Sequence, residues 1–478
     1  MSSSNGMDPP DSLAVRFARL REAARRDPNP GRALREHRLA LLDRLLRDNA
    51  DAIAEAIGRD FGHRSVAETR LLELFPCHEA IRHARRHLRR WMRPQRRGVA
   101  LWFQPARAEL RYQPLGAVGI IAPWNYPLYL AVGPLVAALA AGNRAMLKMS
   151  EFTPATARLF AELVARYFDD DEVAVVEGGA EVAQAFARLP FDHLLFTGST
   201  AVGHHVMRAA AENLTPVTLE LGGKSPAIVG PALLGTPGFD KAVERIVVGK
   251  CLNAGQTCIA PDYVLLPAGQ EQAFADTARR VVAACYADIS RTPDYTSIVS
   301  ERHFARLAGY VEEAAGQGAQ IVELAPGAAP DPVSRRMPPL ALFKVDDGMR
   351  VMQEEIFGPL LPVVPYRDLD AAIAYVNARP RPLALYYFDK ERANIERVLN
   401  ETVAGGVTIN DTILHIAQDD LPFGGVGPSG MGCYHGFEGF QTFSARKSVF
   451  HQSRFSGIGL FKAPYGALFE RLIRILLR

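Results

Sequence analysis

Cysteine is scarce in this chain: five in 478 residues (Cys77, Cys251, Cys258, Cys285 and Cys433), an odd, scattered set with no CxxC pair. That spacing excludes a disulfide framework and a clustered zinc site, and it suits a reducing compartment, so the cytoplasm is the expected location. Excess charge is missing too. The net charge is +3 at pH 7, too small for a dedicated nucleic-acid binder, and no nucleic-acid partner is expected. Residues 1–12 are polar with two prolines and lack the apolar core of a signal peptide, so secretion is not expected. Internal repeats are absent, and no low-complexity block lies beyond that N-terminal stretch.

An unbroken membrane span is absent as well. Residues 112–143 hold no charged side chain and are long enough to cross a bilayer. Pro114, Pro123, Pro127 and Pro134 cut the stretch into short pieces. It reads as a buried strand at 117–121, a loop at 122–127 and a buried helix at 128–141. Hydrophobic residues make up 48% and charged residues 22% of the chain, as in a soluble globular protein. A chain this long exceeds one compact core, and roughly two or three domains are expected.

Leu39, Leu42, Leu45 and Leu46 recur at helical spacing between Arg and Asp positions, and the stretch 11–91 reads as helices. Eight arginines lie between Arg82 and Arg97. They suit either a phosphate-binding patch or a solvated helix face, and the nearly neutral chain without interleaved aromatics favours the second. Residues 106–113 alternate, with Ala108, Leu110 and Tyr112 against Arg107, Glu109 and Arg111, which predicts a strand exposed on one face. Beyond Gly116 short apolar runs alternate with helical segments, at 118–121, 144–149, 173–176, 193–196 and 226–229. A second set follows at 263–266, 321–324, 340–344, 361–366, 383–388 and 406–410. This alternation predicts an α/β fold of two domains, each a parallel sheet with crossover helices.

Several runs carry chemistry. Glu220-Leu-Gly-Gly places a carboxylate beside a glycine turn, and Asn253-Ala-Gly-Gln-Thr-Cys258 sets one cysteine among small and polar residues. A thiolate nucleophile and a carboxylate base can make and then hydrolyse a thioester, although a lone cysteine is more often a small buried hydrophobe. Phe196-Thr-Gly-Ser-Thr-Ala-Val-Gly203 follows an apolar run and opens a helix, a place that favours a pyrophosphate. Lys148 and Glu151 flank a strand end. They suit ribose hydroxyls or a surface ion pair, and a carboxylate there favours NAD over NADP. Pro123-Trp-Asn-Tyr-Pro127 offers the Asn125 amide to an oxyanion or to a turn. Glu355 and Phe357 share a face if their segment is extended. The loop 421–432 is dense in glycine and too apolar for a linker, so it packs close to a ligand or to backbone.

Five of these runs occur in one order: Pro-Trp-Asn, Leu-Lys-x-Ser-Glu, Phe-Thr-Gly-Ser, Glu-Leu-Gly-Gly-Lys with Gly-Gln-Thr-Cys, and Glu-Glu-Ile-Phe-Gly-Pro. Together they resemble the aldehyde dehydrogenase superfamily from about residue 13 to 450. Asn410-Asp-Thr-Ile-Leu-His415 and Gly430-Met-Gly-Cys-Tyr-His-Gly436 resemble its class 3 subgroup. Asp60-Phe-Gly-His-Arg-Ser65 and His83-Ala-Arg-Arg-His-Leu-Arg-Arg-Trp91 look most like the bacterial coniferyl aldehyde dehydrogenases. The resemblance implies a Rossmann-like NAD-binding domain (13–96 and 115–222), a catalytic domain (223–444), a β-strand oligomerisation arm (97–114 and 445–454) and a tail (455–478). It implies that Cys258 attacks the aldehyde, that the Asn125 amide and the Cys258 N–H hold the oxyanion, and that Glu220 activates water. NAD, with NADP possible, would lie on Lys148 and Glu151 at the ribose, Gly198, Ser199 and Gly203 at the pyrophosphate, and Glu355 and Phe357 at the nicotinamide side. No metal is implied. Met149 stands where the family has proline, which removes a backbone constraint beside the ribose site.

The implied activity is NAD(P)-dependent oxidation of an aldehyde, aromatic such as coniferyl aldehyde or medium to long chain, by a cytoplasmic homodimer. Alternatives are an acylating enzyme, disfavoured by Glu220, a fatty aldehyde dehydrogenase with a membrane-associated tail, and a non-catalytic binding protein of the same fold. In the tail, Leu468, Leu472, Ile475 and Leu476 share a helical face beside Arg471, Arg474 and Arg478. That face suits an interfacial anchor, and packing on its own chain or on a partner is the favoured expectation. Cys258→Ala is expected to abolish turnover while NAD binding stays measurable, because the dinucleotide site lies on other segments. Substantial NADH formation by that variant would pass the nucleophile role to Cys251.

Overall fold

The structure is a computed structural model that describes residues 10–477. The expectations attached to residues 1–9 and to Arg478 fall outside the described residues. The fold is α/β, with two mainly parallel sheets and a small antiparallel one. In the first sheet the strands run Gly430–Met431, Val217–Glu220, His193–Thr197, Ala117–Ile121, Arg144–Lys148, Val173–Val176. Only Gly430–Met431 is antiparallel to its neighbour. Ala117–Ile121, Arg144–Lys148 and His193–Thr197 are buried at every position, as strands covered on both faces must be. The chain starts this sheet in its middle, at Ala117–Ile121, and grows outward through Arg144–Lys148 and Val173–Val176. It then crosses back to His193–Thr197 and Val217–Glu220. That reversal marks a doubly wound, Rossmann-like sheet, and it leaves a crevice at the carboxyl ends of Ala117–Ile121 and His193–Thr197.

The second sheet runs Gln320–Glu323, Leu340–Phe343, Leu360–Tyr366, Tyr263–Pro267, Pro226–Val229, Ala384–Phe388, Gly406–Ile409. It is parallel except at the Gln320–Glu323 edge. One strand falls in a different sheet from the one expected. Pro226–Val229 does not close the first set but pairs with Tyr263–Pro267 and Ala384–Phe388. Its anticipated place is taken by Val217–Glu220. An apolar run shows that a strand is buried and carries no information about which neighbour it pairs with.

The third sheet is antiparallel and consists of Gln95–Arg97, Arg107–Pro114 and Ser444–His451. The alternating strand expected to be exposed on one face is its centre, bonded on both edges. Its long edge is Ser444–His451, mostly exposed along its length, and the short Gln95–Arg97 forms the other edge.

The uncharged stretch 112–143 is core. Its helix, Tyr129–Ala141, is buried at every position except Gly133. Among the described residues no helix is long and apolar enough to cross a membrane. In the arginine-rich helix Phe75–Trp91 the buried side chains are Cys77, Ile81, Ala84, Leu88 and Trp91, while Arg85, Arg86, Arg89 and Arg90 face outward. The tail forms a helix, Ala467–Leu476, but none of its residues is buried, and Leu468 and Ile475 remain 58% and 60% exposed. The favoured expectation is packing on its own chain or on a partner, and the helix does not bury itself on its own chain.

Candidate active site

A cavity of about 1190 Å³ occupies the crevice at the switch point. Its wall includes Asn125, Lys148, Glu151, Gly198, Ser199 and Glu220 from the first half of the chain. Cys258, Glu355 and Phe357 join them from the second. Residues singled out over a span of more than two hundred positions thus converge on one space. Gly203 is the exception. It lies one turn inside the helix Thr200–Ala211, buried, and a Cβ there would come within 2.8 Å of Leu221. It permits close packing of the helix on Leu221 rather than lining the cavity, while Val202 and Val206 of the same helix reach the wall.

Cys258 is delivered by a loop that departs from regular structure. Asn253, Ala254 and Gly255 all have positive φ (51°, 51° and 75°), a run that L residues adopt only when their surroundings hold it. Asn253 Nδ2 donates to the carbonyls of Asn125 and Gln256, each at 3.0 Å. Gln256, itself buried, donates to Asn253 O (2.9 Å) and Ser297 O (3.1 Å) and accepts from Val299 N (2.9 Å). The Asn125 amide donates one hydrogen to Gln256 O at 3.2 Å. An amide carries two N–H groups, which leaves one for a ligand.

Glu220 ends the strand Val217–Glu220 and lies beside Thr197 on the adjacent strand. Both carboxylate oxygens are buried with no hydrogen-bond partner. Burial pushes its pKa up to about 7, while the nearby Cys258 thiol and Thr197 hydroxyl draw it partly back. Glu355 behaves alike: burial, then the charge of Asp262, raise its pKa to about 8. The thiol of Cys258 is pushed well above its ordinary value by burial and then by the neighbouring Glu220 and Glu355 carboxylates. At neutral pH the Cys258 sulfur is therefore held as a thiol beside two carboxyls whose own pKa values are raised.

At the dinucleotide end, the Lys148 ammonium is buried and burial lowers its pKa, against the pull of Glu151. It donates to Met149 O at 2.6 Å and reaches Glu151 Oε2 at 3.5 Å. Met149 does not loosen this turn as its replacement of proline suggested. Its N–H donates to Val176 O at 3.1 Å, a bond proline cannot make, and its side chain is fully buried. Phe357 has φ 50°, so its segment is not the regular extended one that would place Glu355 and Phe357 on one face. Arg306 holds this segment through the carbonyls of Glu355 and Ile356, and Asp262 holds it through Ile356 N. A Cβ on Gly222 would collide with the Glu355 carboxylate. A dinucleotide fits what is present. The crevice lies at strand carboxyl ends, the helix N-terminus behind Gly198 and Ser199 faces the cavity, and Glu355 Oε1 is buried and open to a hydroxyl.

Sequence reasoning assigned no role to several supporting groups: Arg64, Glu68, Glu73, Asn253, Gln256 and Thr197. Arg64 lies in the turn between the helices Ala50–Phe61 and Val66–Thr69, and Arg64, Glu68 and Glu73 are all buried although charged. Only the resemblance at Asp60–Ser65 touched this segment. Among the described residues no cluster of His, Cys, Asp and Glu could hold a metal ion.

The chain matches the aldehyde dehydrogenase family over residues 20–449. It is 55% identical to a probable coniferyl aldehyde dehydrogenase of Pseudomonas aeruginosa, over 97% of this chain and 96% of that one. It is 48% identical to a coniferyl aldehyde dehydrogenase of a Pseudomonas species, over 94% and 93%. The fold superposes on the substrate-bound Staphylococcus aureus AldH with a TM-score of 0.91 at 38% identity, covering 97% of this chain and 99% of that one. It superposes on a Mycobacterium tuberculosis aldehyde dehydrogenase in complex with NAD+ with a TM-score of 0.82 at 28% identity, covering 93% and 91%. A match of this size, running through both large sheets and the cavity between them, makes the chain a member of the aldehyde dehydrogenase family, enzymes that oxidise aldehydes to carboxylic acids with NAD(P).

Proposed function

We propose that the enzyme oxidises a phenolic aromatic aldehyde of the coniferyl aldehyde kind, with NAD preferred over NADP. The observation that carries this reading is the 55% identity to a probable coniferyl aldehyde dehydrogenase over nearly the whole chain. Local chemistry supports it. Tyr129 and Tyr434 lie within electrostatic reach of Cys258 and Glu220. Phe423 stacks on His435 with ring centroids 5.4 Å apart. The Tyr434 hydroxyl, His435 Nδ1 and His415 Nε2 are buried without partners. Open donors and acceptors within an aromatic cluster suit a ring that brings its own hydroxyl or ether oxygen.

In this mechanism Cys258 Sγ passes its proton to water in the cavity and bonds to the aldehyde carbon, and the free Asn125 N–H with the Cys258 backbone N–H holds the oxyanion. The cofactor, when bound, supplies the hydride acceptor; Lys148 and Glu151 would hold its ribose, the Gly198–Ser199 turn its phosphates, Glu355 and Phe357 its nicotinamide end. Glu220 then takes a proton from water. The hydroxide adds to the thioester carbon, the C–S bond breaks, and the acid leaves with Cys258 restored. The cofactor segments would be 13–96 and 115–222 and the catalytic segment 223–444, with a cytoplasmic location.

A homodimer is also proposed. The arm exposes Leu101 (77%), Trp102 (65%) and Phe103 (58%) beside the open edge strand Ser444–His451. Exposed apolar side chains next to a free strand edge are an aggregation hazard unless covered. The uncovered tail helix would dock on that partner rather than on a membrane.

Glu220→Gln is expected to keep the single-turnover burst of NADH while lowering the steady-state rate by roughly 10²–10⁴. Because the base form of Glu220 appears only as pH rises through about 7, the wild-type hydrolytic rate should climb through that pH, and the variant should lack this limb. Loss of both burst and turnover would place Glu220 in the activation of Cys258. A panel of aromatic and aliphatic aldehydes should give the highest kcat/KM with ring-hydroxylated aldehydes, and a preference for long aliphatic ones would overturn the substrate reading. Glu151→Gln should raise kcat/KM for NADP relative to NAD by about tenfold; an unchanged ratio would mean that this carboxylate does not read the ribose. Light scattering should return twice the 52.3 kDa chain mass, and a monomeric mass at micromolar concentration would refute the dimer.

A further inference from the structure

The geometry points to Arg64 as a positioning residue for the oxyanion site: it clamps the Asn125 carbonyl and so fixes the Asn125 amide against the Cys258 loop. The inference rests on the proposed role of Asn125 and adds a residue to which nothing in that role refers. The Arg64 side chain has no solvent exposure. Its Nη1 donates to Asn125 O at 2.8 Å and lies 3.1 Å from Glu73 Oε1. Its guanidinium carbon sits 4.9 Å from the Phe61 ring centroid and 4.8 Å from that of Tyr126, so the planar group is gripped between two aromatic faces.

The same group reaches both sides of the site. Tyr126, next to Asn125, bonds to Thr257 Oγ1 at 2.7 Å, and Thr257 precedes Cys258. Asn125 O receives Arg64 and Asn253 together, while Gln256 O receives Asn253 and Asn125 together. Two loops distant in sequence are therefore cross-linked through two carbonyls, and Arg64 is the one cation in the link. Glu73 sets the register of the first loop: its Oε2 accepts from Leu128 N at 2.8 Å and Tyr129 N at 3.1 Å, at the start of the helix Tyr129–Ala141. Glu68 sets the second by accepting from Asn253 N at 3.2 Å and from Thr296 Oγ1 at 2.8 Å. Without Arg64, only Asn253 still donates to the Asn125 carbonyl, and the Asn125 peptide, with the N–H left free for the oxyanion, is held less firmly. Angular precision of this kind governs how much such a donor contributes.

The test is a double-mutant cycle read by the rate of the NADH burst, with Arg64→Lys and Asn125→Ala singly and together. Arg64→Lys keeps the charge that Glu73 requires. It is expected to slow the burst by about tenfold with NAD affinity unchanged, and to cause no further slowing in the Asn125→Ala background. A role confined to stability would slow both backgrounds equally, and that result, or no slowing in either, overturns the inference. An Asn125→Ala enzyme of full burst rate would instead defeat the oxyanion role itself, a distinct outcome. If Arg64→Lys does not fold, Asn253→Ser removes the other donor to the Asn125 carbonyl, and the same non-additivity with Asn125→Ala is expected.

Discussion

A buried guanidinium has to be compensated, and the way Arg64 is compensated joins the parts of the site. Its charge meets Glu73, its planar faces meet Phe61 and Tyr126, and its hydrogen bond meets the Asn125 carbonyl. Removing one member of such a pair leaves an uncompensated buried charge, which costs about 3–5 kcal/mol. The N-terminal helices are thus more than a cover for the first sheet. They supply the charged groups that hold the Asn125 loop and, through Glu68, the turn before Cys258. The strained backbone at Asn253–Gly255 persists because Glu68, Gln256 and the Asn125 carbonyl all fix it.

The centre of the cavity follows the opposite rule. Glu220 is left with both oxygens unpartnered and Glu355 with one, and both carboxylates act on the thiol of Cys258. Desolvation without compensation raises all three pKa values, and that is what makes them useful. A carboxyl near pKa 7 can hold or take a proton under physiological conditions. Above the ordinary carboxylate pKa, ionising Glu220 in the folded state opposes folding, and this penalty grows until the pH passes about 7. Stability is given up at these bare groups, while the loops around them are held by the hydrogen bonds of Arg64, Asn253 and Gln256.

The local pattern determined much of this protein. Alternation of apolar runs with helical segments predicted an α/β fold, and the prolines in 112–143 separated a core strand and helix from a membrane span, as the buried Ala117–Ile121 and Tyr129–Ala141 bear out. The run Glu220-Leu-Gly-Gly and the run ending in Cys258 were recognisable as chemistry because few sequences place those residue types in that order. What tertiary structure alone decided is of another kind. Pro226–Val229 pairs in the second sheet, Gly203 packs on Leu221, Met149 bonds to Val176, and Arg64, Glu68 and Glu73 are buried although charged. Periodicity reports which side of an element is covered, since that depends on neighbours three or four positions away. Strand partners, the desolvation of a carboxylate and the target of a buried guanidinium are set by segments tens to hundreds of positions distant, and no local window contains them.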